Sequence, residues 1–125
     1  MAASNIEHEL DRLVQIWSYH QPSIYSGKKG CVGHHIYSRS NKLLRWDLRN
    51  IAPLTMEEHR LLHDGKIYLE IDHDTQQYLN DMMLVQFKDY LLFNNLTESE
   101  FYRREYVKLK KELIGNFSYK SGISC

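Results

Sequence analysis

Apolar residues recur at helical spacing towards both ends of the chain and gather into two short runs in its middle. Ile6, Leu10, Leu13 and Trp17 share one face of a helix that Ser4-Asn5-Ile6-Glu7 opens and Pro22 closes. Ser or Thr followed three residues later by Glu is the capping-box pattern, in which two orphan backbone N–H groups are satisfied reciprocally. Residues 75–93 read as a second helix, with Tyr78, Leu79, Met82, Met83 and Leu91 facing the core. Thr97-Glu98-Ser99-Glu100 repeats the capping pattern and starts a helix carrying Tyr102, Tyr106, Leu109 and Leu113, with Gly115 beyond it. Between these lie strand-like runs at 31–36 and 50–54, joined by the polar, basic loop YSRSNKLLRWDLR. Thr55-Met56-Glu57-Glu58 then opens a short helix that Gly65 is placed to end. Residues 23–30 read as an exposed loop and 116–125 as a loose tail. The expected fold is α+β in a single domain, 1–125, with a strand–loop–strand–helix module at about 31–65 and helical extensions at 4–20 and 75–114.

Composition narrows the class without naming a function. An apolar share of 42% belongs to a chain that folds around its own core. No apolar run approaches the ~20 residues that span a bilayer, and the N-terminal segment MAASNIEHEL turns polar at once, so neither a membrane span nor a secretory leader is expected. Cys31 and Cys125 sit in unrelated settings, which fits a reducing cytoplasm better than a structural disulfide. The net charge is zero, but residues 28–66 hold eight Lys/Arg against four acids, +4, leaving −4 for the remainder. Such a segment is either a solvated face or a local phosphate-binding surface, and charge alone does not decide between them.

Four of the seven histidines fall within residues 34–63. His59 and His63, four apart on the capped helix, point the same way and can share one metal ion. His34 and His35, adjacent on a strand, point to opposite faces, so one can join the helical pair while its neighbour reaches another part of the site. Three neutral imidazoles leave coordination positions open for a phosphate oxygen and a water, the arrangement of a catalytic metal. Taken singly, an i,i+4 His pair is more often surface decoration, and Asn50 is most simply a turn residue satisfying backbone groups. Jointly, the four histidines and Asn50 fit a frame derived independently from capping and apolar pattern. His8, His20 and His73 lie outside that spacing and read as solvated.

The run GHHI…RWDLRNIAPLTMEEHRLLH resembles the HNH, or ββα-metal, endonuclease motif, with His-His, Asn and His-x3-His spacing similar to that of the colicin nuclease domains. A looser likeness, over about 31–113, is to the phage NinG/Rap recombination endonucleases, through Gly33-His34, Leu44-Arg45-Trp46, Arg49-Asn50-Ile51 and the helix after Thr97. The resemblance implies a ββα-metal module flanked by helices, acting as a metal-dependent DNA endonuclease. By it, His34, His59 and His63 hold one divalent ion, His35 is the general base, and Asn50 anchors the loop and orients His35 through its amide. It implies products with a 5′ phosphate and a 3′ hydroxyl. Arg39, Lys42, Arg45 and Arg49 become candidate DNA contacts, although Arg45 and Trp46 could equally pack the loop against Leu43 or Leu44. Imidazole ligands suit zinc, nickel, cobalt or copper, and such sites also work with magnesium or manganese. Many relatives carry paired Cys-x2-Cys around a structural zinc; here Thr55 and Glu58 stand where cysteines often sit, so no structural zinc is expected. The implied partner is DNA, including branched junctions, with the exposed-looking tyrosines and leucines of the C-terminal helices as a candidate homodimer interface. A homing-type or nonspecific nuclease, and a metal- or DNA-binding module without turnover, are the competing readings.

Overall fold

A computed structural model describes the backbone of residues 3–123 and the side chains of 5–115. In chain order the elements are α1 (Ala3–Tyr19), β1 (Val32–His35), α2 (Lys42–Arg45), a 3-10 turn (Leu48–Asn50), β2 (Ile51–Leu54), α3 (Met56–His63), α4 (His73–Met83), α5 (Phe87–Phe93) and α6 (Glu98–Ile123). The strands pair antiparallel, with Val32 opposite Leu54, Gly33 opposite Pro53, His34 opposite Ala52 and His35 opposite Ile51. The architecture is thus α+β, a two-stranded sheet among helices. Among the described residues no helix is long and apolar enough to cross a membrane.

One apolar cluster holds these elements together. Leu10, Leu13 and Val14 of α1 meet Phe101, Tyr102, Leu109 and Leu113 of α6, with Leu43, Trp46 and Ile51 filling the centre. The Trp46 ring meets Tyr102 edge-on at 5.7 Å between centroids, a geometry favoured by the ring quadrupoles. Besides α6, α1 also packs against β1. There Gln15 accepts from the Gly33 N–H at 2.9 Å, and a Cβ on Gly33 would lie 2.5 Å from Ser18 Oγ and 2.8 Å from Ile51 Cγ2. Only glycine lets the strand approach the helix this closely.

The short helix is fixed at both ends. Thr55 Oγ1 accepts from the Glu58 N–H while Glu58 accepts from the Thr55 N–H, the capping box expected from sequence. Gly65, at φ +71°, ends the helix, with Lys66 N–H bonded to the Leu61 carbonyl. The Thr97–Glu100 box also forms, at 3.0 Å in both directions.

Several expectations need correction. Residues 75–93 form two helices, because the chain turns at 84–86, and Met83 is exposed at the end of α4. The joining loop is not irregular throughout: Asn41 caps α2, and Asp47 caps the 3-10 turn. Gly115 does not end α6, whose backbone stays helical to Ile123 through the segment read as a loose tail. Ser4 lies inside the first turn of α1, and its side chain, like Cys125, is outside the described residues. Tyr102, Leu109 and Leu113 of α6 are buried in the core cluster. Among the described residues the exposed large apolar side chains include Leu84, Leu92 and Phe93, on and around α5.

Candidate metal centre and adjoining cleft

The pleat of β1 separates its two histidines. His34 lies opposite Ala52, whose small side chain leaves room, and its ring reaches α3, 5.2 Å from that of His59 and 5.7 Å from that of His63 between centroids. One nitrogen from each ring can be chosen so that all three lie within 4.8 Å of one another. The Nε2 atoms of His59 and His63 are 3.1 Å apart. Two nitrogens bound tetrahedrally to one ion at 2.0–2.1 Å stand about 3.3 Å apart, so the α3 pair fits a shared metal with little movement. Electrostatics agrees with neutral imidazoles at His34 and His59. Burial, followed by the proximity of His59, His63 and His35, pushes the His34 pKa down to about 4. Burial, then His63, lowers that of His59. Neutral imidazole is the form that binds metal.

His35 serves a different place. Its Nε2 lies 2.8 Å from the Arg45 carbonyl oxygen. A carbonyl only accepts, so Nε2 carries the proton and Nδ1 is left with a lone pair. Burial lowers the His35 pKa against the opposing effect of that hydrogen bond. Asn50, fully buried, anchors the loop: its Oδ1 accepts from the Tyr37 N–H at 2.8 Å, and its Nδ2 donates to the carbonyls of Tyr37 and Leu44 at 3.1 and 3.0 Å. Asn50 thus ties Tyr37 to Leu44 across the loop, and the contact made by the His35 ring is different from the one expected. The Arg45 carbonyl, not the Asn50 amide, is bonded to His35, while Asn50 Nδ2 donates to the carbonyl one peptide earlier, that of Leu44.

Asp11, Gln15, Gly33, His34, His35, Arg39 and His59 line a cleft of about 400 Å³ beside the histidines. Of the four cations named as DNA contacts, only Arg39 lines it, with its side chain 59% exposed and Nη2 bonded to Asp11 at 2.7 Å. Arg45 is paired with the same carboxylate and lies over the Trp46 ring, 5.0 Å from its centroid. Lys42 donates to Glu98 and Tyr102, and Arg49 donates to Asp47 and Tyr78. His8 and His73 are exposed, while His20 is half-buried. Comparison with protein-family models, curated proteins and solved structures gives no match.

Asp11 and Gln15 escaped the sequence reading altogether. Both belong to α1, far from the histidines in sequence, and the only signal was a carboxylate beside the apolar stripe at Leu10 and Leu13. That signal is too common to single out a residue.

Proposed function

We propose that the chain is a metal-dependent DNA endonuclease on the ββα-metal plan, acting on recombination intermediates or other branched DNA. The observation that carries this reading is the convergence of His34, His59 and His63 beside a fourth imidazole, His35, held with Nδ1 free to accept a proton. His34, His59 and His63 are the residues that would hold a divalent ion. When bound, such an ion supplies Lewis acidity for a phosphodiester and its leaving 3′ oxygen. His35 removes the proton of an attacking water through Nδ1 while Nε2–H stays on the Arg45 carbonyl, which steadies the imidazolium that forms. Arg39 binds a neighbouring phosphate with the guanidinium donors that Asp11 does not occupy. Cutting both strands of a junction calls for two copies of the chain.

One observation favours a second reading, a metal-binding module without turnover: Lys42, Arg45 and Arg49 have partners within the chain, which reduces the cation surface offered to DNA. Nicking of supercoiled plasmid with added magnesium, manganese, zinc, nickel or cobalt, with and without chelator, separates the two. The expected result is ion-dependent nicking that His35→Ala reduces at least ~100-fold while ion affinity is kept, and that His59→Ala abolishes together with ion binding. Wild-type protein that binds the ion and cuts nothing sinks the endonuclease reading. Cleavage of four-way junctions in preference to linear duplex of the same sequence tests the substrate class.

A further inference from the structure

We infer that Asp11 is a positioning residue for the general base: its carboxylate clamps the one peptide unit whose carbonyl holds the His35 ring. The inference rests on the reading of His35 as that base. Asp11 Oδ1 accepts from Arg45 Nε at 3.1 Å and from Trp46 Nε1 at 2.8 Å, while Oδ2 accepts from Arg45 Nη2 and Arg39 Nη2, both at 2.7 Å. Arg45 and Trp46 flank a single peptide bond. Its oxygen is the Arg45 carbonyl that receives the His35 Nε2–H.

A peptide plane rocks by opposed rotations about the bonds on either side of it, and here the side chains on both sides are tied to one carboxylate. The Asp11 and Arg45 side chains are only 20% and 17% exposed, so the two-point ion pair is shielded from water in a way a surface pair is not. Trp46 is 2% exposed in the core, and the Arg45 guanidinium lies over its ring. The preceding carbonyl, Leu44 O, is held separately by Asn50. Two successive peptides at the end of α2 are therefore held by different elements, the Leu44 carbonyl by the residue that precedes β2 and the 45–46 unit by α1 through its flanking side chains. Without the Asp11 clamp the Arg45 oxygen can swing away, the His35 ring loses the contact that selects its tautomer, and Nδ1 spends time protonated and unable to act as a base.

The test compares Asp11→Asn and Asp11→Ala with wild type by three readouts on zinc-loaded protein: kcat and KM for plasmid nicking, zinc affinity by calorimetry, and the imidazole ¹⁵N–¹H spectrum. Both variants are expected to lose kcat about 10- to 100-fold, the usual range for partners that orient a functional ligand, with zinc affinity unchanged, while KM moves separately because Arg39 also loses its Asp11 partner. The His35 Nε2–H signal of the wild type should weaken, with an Nδ1–H population taking its place. Wild-type kcat and an unchanged His35 signal in Asp11→Asn would overturn the clamp, and so would parallel loss of kcat and zinc affinity, the mark of a merely structural role. Should the Asp11 variants fail to fold, Arg45→Lys keeps the charge, removes the two-point fork and is read in the same way. If the wild type cuts no DNA, the endonuclease reading fails, and the imidazole spectrum alone decides whether Asp11 positions His35.

Discussion

At His34 the chain places an imidazole where its protonated form is disfavoured by burial and by three neighbouring histidines, which together bring its pKa from 6.5 to about 4. His35 and His59 are shifted in the same direction, chiefly by burial. The linkage has a definite sign. Between pH 4 and 6.5 the unfolded chain binds a proton at position 34 that the folded chain refuses, so stability is fully present above 6.5 and is lost as pH falls towards 4. The melting temperature of the metal-free protein is therefore expected to drop through that window. His34→Gln, which cannot protonate, should show a shallower drop when the two proteins are melted side by side across the pH series. An equal drop in both would mean that His34 is solvated in the folded protein. The same depressed pKa keeps the imidazole ready for a metal throughout the neutral range.

At the scale of elements, α3 decides whether a strand histidine has partners. Two of the three proposed ligands sit on its successive turns, and its first turn is held by the Thr55–Glu58 box. Glu58 also accepts from Ser23 Oγ, which ties the loop after α1 to the start of the helix. Thr55→Ala removes one half of the box and should cost about 1 kcal/mol of stability. If that fraying reaches His59, one turn in, zinc affinity falls by at most about fivefold, the equivalent of that energy. Chemical denaturation and calorimetry check the two numbers; a full-strength helix in Thr55→Ala would show that Ser23 and Glu58 alone hold the first turn. This helix was legible in sequence because every signal for it is local, from Thr55 and Glu58 at one end to Gly65 at the other. The break between α4 and α5 was not legible, because Leu84, Val85 and Gln86 include neither glycine nor proline and keep an apolar pattern across the turn. The histidine grouping could be read for a related reason: a period of two on a strand and a step of four on a helix are facts of backbone geometry. The partner of Arg45 could not, since ion pairing across 34 residues, as between Asp11 and Arg45, leaves no trace in local spacing.

For the whole molecule the question is whether the histidine module and the helices around it are one cooperative unit. α1 argues that they are. Its Leu10, Leu13 and Val14 pack in the cluster with α6, while its Asp11 and Gln15 hold the 45–46 peptide and β1. Breaking the helical core therefore releases the strand that carries His34. A metal that binds only the folded state stabilises it by RT ln(1 + [L]/Kd), about 2.7 kcal/mol when the ion is present at a hundred times its dissociation constant. For a chain of this length the entropy of unfolding converts that energy into a rise of about 10 °C in melting temperature. Zinc at that excess is expected to move one transition, and to move it equally when followed by helix circular dichroism and by tryptophan fluorescence, since Trp46 sits in the shared core beside Asp11. His59→Ala should abolish the shift. If zinc displaces the fluorescence transition and leaves part of the helical signal melting where it did before, the helices do not unfold together with the metal site, and α1 does not couple them as its contacts require.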